Sequence, residues 1–159
     1  MFRNIIWATD GSANADDALP FVRTLAESAQ GRVLAVHCTE IVVGGGTAGD
    51  PVAADEGELQ DKIRNQVEEL RAAGVTAKLV LIEGMASDTA PLLAGTARKA
   101  GADVIVTGTR GHGLLTGAIV GSVTHRLLHL APCPVLAVPP ADRLAKRRTP
   151  KPEKATVSG

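Results

Sequence analysis

Residues 102–130 read ADVIVTGTRGHGLLTGAIVGSVTHRLLHL, and this stretch decides the fold. Its first part, Ala102-Asp103-Val104-Ile105-Val106, is a short apolar run of the kind that forms a strand covered on both faces. Residues 123–130 carry apolar side chains at helical spacing, and the loop between, residues 108–122, is rich in glycine. Strand, glycine loop and helix in succession are the repeating unit of a parallel α/β sheet. Such a loop also suits an anion. Glycines let backbone N–H groups turn inward, and a helix N-terminus adds unpaired donors and the positive end of a dipole. The spacing is G-x-x-G (Gly108, Gly111), nine residues, then Gly121-Ser122. That is neither a Walker A loop nor a dinucleotide fingerprint.

The same alternation extends outward in both directions. Strands are expected at residues 4–9, 32–38, 77–82, 103–107 and 134–138, and helices at 13–30, 58–73, 89–100 and 123–130. Ser12 is placed to cap the first helix, Gly31 and Gly74 to stop the first and second, and Pro132 to close the last. The class is α/β: a Rossmann-like, doubly wound parallel sheet of five strands ordered 3-2-1-4-5, with helices on both faces. In that order the direction of winding reverses between strands 1 and 4, where such sheets bind ligands. Strand 1 ends at Thr9-Asp10-Gly11 and strand 4 at Gly108, so two polar, glycine-bearing strand ends should lie side by side.

At 159 residues, with 45% apolar and 21% charged side chains, the chain is one soluble-type domain with room for a sizeable core. Its aromatics are Phe2, Trp7 and Phe21 alone, too few for stacking single-stranded nucleic acid. The net charge of zero divides unevenly: residues 143–159 hold six basic side chains against Glu153, so residues 1–142 carry an excess of acids. An acidic body argues against duplex DNA. The division also suggests a domain over 1–142 followed by a basic, disordered tail over 143–159. No leader pattern and no apolar run of about 18 residues is present, which points to the cytoplasm and away from a membrane. Cys38 and Cys133 are too few for a disulfide framework and read as small, buried hydrophobes.

Several candidate motifs weaken on inspection. Gly44-Gly45-Gly46-Thr47-Ala48-Gly49 matches G-x-G-x-x-G formally, but Asp50-Pro51 follows where a helix should open. Residues 42–57 therefore read as a loop, with a lid over the site as the minority interpretation. Asp10 is either an Asx-turn residue or an acceptor for a ribose hydroxyl or adenine amine. The histidines, His37, His112, His125 and His129, do not converge like metal ligands and read as surface or helix-face residues. Ser12 has no base partner and stands outside G-x-S-x-G, so it is no nucleophile.

Taken together the motifs resemble those of the universal stress protein family. The resemblance lies in Ile5 to Ser12, in Val33 to His37, in Ala102 to Gly111, in Gly121 to Leu127, and in the closing segment from Ala131 to Val138. The ATP-binding branch of that family carries G-x-x-G, nine residues, then G-[S/T], as this chain does. The resemblance implies that Gly108, Gly111, Gly121, Ser122 and the Val123 amide hold ribose and phosphates. It implies that Ala8, Thr9 and Asp10, with Cys38 and Thr107, border the adenosine. Arg110 is counted as a cation for the phosphates, against the plainer reading of a solvent-facing arginine. Mg²⁺ would bridge phosphate oxygens without a protein cage. A homodimer through the strand from Pro134 to Val138 is implied as well.

The resulting expectation is a nucleotide-dependent stress sensor or signalling module, not a fast enzyme. No dedicated base for hydrolysis is visible. The competing readings are a slow ATPase or adenylyl-transfer enzyme on the same scaffold, and an interaction module with an empty site.

Overall fold

The computed structural model describes residues 2–41, 51–109 and 120–148. Five parallel strands form one sheet: β1 (Asn4–Ala8), β2 (Arg32–Glu40), β3 (Thr76–Gly84), β4 (Val104–Gly108) and β5 (Val135–Val138). Their order is β3-β2-β1-β4-β5, as the sequence predicts. Ala8 pairs with Val36 of β2 on one side and Thr107 of β4 on the other. The register therefore brings the carboxyl ends of β1 and β4 together.

Side-chain alternation along the strands separates two layers. Ile5, Trp7, Val33, Ala35, Val104 and Val106 face α2 (Leu19–Ala29) and α3 (Pro51–Ala72), meeting Val22, Ala26, Ile63, Val67 and Leu70. Ile6, Ala8, Val36 and Ile105 face α4 (Thr89–Ala100) and α5 (Ser122–Leu130), meeting Ala90, Leu93, Ala97 and Leu127. Each large apolar side chain fully withdrawn from water contributes about 1.5–3 kcal/mol. Trp7 is fully buried, and its indole Nε1 donates to the Ala15 carbonyl at 3.3 Å, tying the sheet to α1 (Ala13–Asp16).

The structure departs from the sequence reading at several ends. The helix expected over 13–30 is two, α1 and α2. Pro20 explains the break, because its ring has no N–H for the Asp16 carbonyl and collides with it. The segment 42–57 is not a loop throughout, since α3 begins at Pro51. Proline at the first helical position leaves no donor unpaired, so a punctuating residue opened the helix. Gly44 to Gly49, and with them the lid reading, lie outside the described residues. Asp103 precedes β4 and does not belong to it. Its Oδ2 accepts the N–H groups of Arg3 and Asn4, each at 2.8 Å, and these bonds hold its carboxyl below the usual range. Finally, α6 (Ala141–Arg148) continues six residues into the segment expected as a disordered tail. It is fastened at its start, where the Ala141 N–H donates to Asp17 Oδ2 at 2.9 Å, and Leu144 packs against the core.

Candidate functional site

The chain leaves β1 through a turn built from its own side chains. The Thr9 N–H donates to the Val36 carbonyl at 3.0 Å, and the Gly11 N–H donates to Thr9 Oγ1 at 3.1 Å. Asp10 Oδ1 accepts from the Ser12 N–H at 3.0 Å and from the Ser12 hydroxyl at 2.6 Å. This is the Asx turn that Asp10 offered in sequence. Ser12 Oγ then accepts the Ala15 N–H at 3.3 Å and caps α1, as expected. Gly11 has φ +72°, a left-handed conformation that favours glycine. A Cβ there would stand 2.5 Å from Leu59 Cδ1, so α3 closes directly on the turn. Lys62 of α3 adds a second grip, donating to the Gly11 carbonyl at 2.7 Å while pairing with Asp16 at 2.6 Å.

The exit of β4 is arranged differently. Thr109 donates its N–H to the Val138 carbonyl at 2.8 Å and accepts the Gly121 N–H at 2.6 Å. The Thr124 hydroxyl donates to the Gly108 carbonyl at 2.9 Å. These bonds fix the first turn of α5 against the end of β4. Gly121 is the N-cap of that helix (φ −68°, ψ 158°), and Ser122, expected at the cap, is the first helical residue. Among the described residues no side chain caps this end, so the first amides of α5 point outward as helix N-termini do. Thr109 Oγ1 is buried without a partner among the described residues. A buried hydroxyl in that state costs free energy until something pairs with it. Gly108, Thr109, Gly121, Ser122 and Val123 are thus gathered at one place, beside Ala8 and Thr107. Arg110 and Gly111 lie outside the described residues.

Cys38 sits two residues beyond Val36, on the α4 side of the sheet, with its Sγ accepting from the Thr89 hydroxyl at 3.7 Å. Burial pushes its thiol up, more than the Thr89 bond lowers it. Cys133 is likewise raised by burial, and both cysteines are free and half-buried. Among the described residues no group of three or more His, Cys, Asp or Glu could hold a metal ion. His125 and His129 stack edge to face, ring centroids 5.1 Å apart.

His37 contradicts the surface or helix-face reading. It is a buried residue of β2, bonded to Thr9 and to Glu56 of α3. The signal was present, since His37 continues the period-two row of Val33 and Ala35 that faces α3. Its partner nineteen residues on could not be read from that row. Burial opposes ionisation of Glu56, but hydrogen bonds from Gln60, His37 and Thr39 outweigh it and lower the carboxyl below its ordinary range.

A doubly wound sheet whose reversal point carries a glycine-capped helix N-terminus and a carboxylate turn defines a Rossmann-like α/β domain. The universal stress protein family model matches residues 1–139. Universal stress protein Sll1654 of Synechocystis sp. is 34% identical over 143 residues, covering 87% of each chain. This chain belongs to the universal stress protein family. Solved structures share its fold, and two of them hold a nucleotide. One is a universal stress protein in complex with cAMP (TM-score 0.65, 18% identity, 88% of this chain and 98% of that one). The other is the universal stress protein from Archaeoglobus fulgidus in complex with dAMP (TM-score 0.62, 23% identity, 87% and 98%). Among the described residues, no helix is long and apolar enough to cross a membrane.

Proposed function

We propose that this protein binds an adenine nucleotide, ATP with Mg²⁺ bridging its phosphates, at the carboxyl ends of β1 and β4, and acts as a cytoplasmic stress sensor or signalling module. The observation that carries the reading is the β4 exit. There the N-terminus of α5 is bonded through Gly121 to Thr109, and among the described residues no side chain caps that helix and the buried Thr109 hydroxyl has no partner. Gly108, Gly111, Gly121, Ser122 and Val123 hold the ribose and phosphates, with Arg110 beside them. Ala8, Thr9, Asp10, Cys38 and Thr107 border the adenosine. The cAMP and dAMP complexes of two structural relatives support an adenine nucleotide as the ligand class. A glycine cradle and a helix dipole account for binding. Hydrolysis would require a positioned water and a charge stabiliser at the γ-phosphate as well.

The assembly that fits this reading is a homodimer through Pro134 to Val138. β5 pairs with β4 on one side, and Leu136 on it is 38% exposed. An apolar edge of that kind calls for a partner or a cover. Titration calorimetry with ATP·Mg²⁺, ADP and cAMP tests the reading. Saturable heat for one of them is expected, and no heat from any at millimolar concentration would end it.

A further inference from the structure

The carboxyl end of β2 carries a polar cluster that neither the core nor the proposed nucleotide contacts explain. The His37 side chain is 4% exposed and that of Glu56 is 28% exposed. His37 Nδ1 lies 3.0 Å from the Thr9 carbonyl oxygen, and Nε2 lies 2.7 Å from Glu56 Oε1. Glu56 Oε1 also accepts from Thr39 Oγ1 and from Gln60 Nε2, each at 3.0 Å. Side chains of β2 and α3 therefore converge on one carboxylate oxygen. Both ring nitrogens of His37 face oxygens, one the Thr9 carbonyl and the other Glu56 Oε1. A buried polar network whose members are paired has a single geometry.

We infer that His37 and Glu56 form a clamp that fixes the Thr9–Asp10 peptide and so pre-organises the adenosine end of the site, making both of them positioning residues. For its ligand the inference rests on the nucleotide reading above; for its geometry it does not. The Thr9 carbonyl and the Asp10 N–H belong to one planar trans peptide, so holding the first orients the second. The Thr9 N–H and carbonyl are both bonded to β2, which turns the Asp10 N–H away from β2. α3 supplies Glu56, Leu59 and Lys62 along one face, and all three bear on the Thr9 to Gly11 turn. A site held in its binding form spares the ligand the cost of ordering it.

The test compares wild-type protein with Glu56→Ala and Glu56→Gln. Amide hydrogen exchange is read at Gly11 and Ser12, whose N–H groups are bonded within the turn, and calorimetry is read with ATP·Mg²⁺. Glu56→Ala should speed exchange at both amides and weaken binding about 10-fold, with the fold intact by circular dichroism. Glu56→Gln keeps an oxygen acceptor and should restore both readouts to within about threefold. Unchanged exchange in Glu56→Ala overturns the clamp. So does altered exchange with unaltered affinity, or failure of the glutamine to rescue. A wild-type chain that binds no nucleotide ends the nucleotide reading alone, and the exchange arm still decides the clamp.

Discussion

The two loops that meet at the reversal point are held by different kinds of bond. The β1 exit is a construction of side chains: Thr9, Asp10 and Ser12 from the turn itself, His37 from β2, and Glu56, Leu59 and Lys62 from α3. Among the described residues the β4 exit is mostly backbone, with Thr109 bonded to Val138 and Gly121, and the Thr124 and Thr107 hydroxyls closing onto Gly108. The glycines of the cradle lie close in sequence, so spacing alone betrays them. A side-chain turn depends on partners dozens of residues away. The β1 exit can therefore be tuned from a distance.

Gly121→Asp should produce the largest effect. Its φ of −68° is open to any residue and aspartate caps helices well, so the fold should survive. A carboxylate set against phosphates costs several kcal/mol, and nucleotide affinity should fall about 100-fold or more by calorimetry. Unchanged affinity would remove the β4 exit from the site. Gly11→Ala attacks the other loop. The positive φ and the contact with Leu59 should cost about 1–3 kcal/mol in urea unfolding. Lost stability with full affinity would show that the β1 turn is structural only. Thr124→Val should cost about 1 kcal/mol, because the Gly108 carbonyl loses the shorter of its two hydroxyl bonds.

The smallest effect concerns acid. Glu56 and Asp103 both have carboxyls lowered in the folded state. Their contribution is present above the ordinary carboxylate range and is lost as pH falls through the lowered values. Urea midpoints should therefore decline as pH falls below the ordinary carboxylate range. The decline should be shallower in Glu56→Gln and in Asp103→Asn, each measured against wild type. Equal slopes in all three proteins would mean that neither carboxylate is linked to folding.

The strand order was legible because short apolar runs alternate with amphipathic segments from Ile5 to Val138, and few topologies bury such runs. The β4 exit was legible for the reason given above. Errors gathered where proline has two meanings: Pro20 split a helix and Pro51 began one. The burial of His37 stood in the period-two row of Val33 and Ala35, but its partner Glu56 on α3 is recorded by no local pattern.

By itself the sequence determined the parallel α/β class and the order of the strands, because both follow from local periodicity, and its motifs resembled those of the family to which it belongs. Only the tertiary structure decided that α3 reaches back over the β1 exit and that a buried His37 joins the Thr9 carbonyl to Glu56. Those contacts link residues 28 and 19 positions apart. Such partners meet only when the sheet stacks one layer of helices on the strand ends, and geometry of that range is set by packing rather than by any local run of residues.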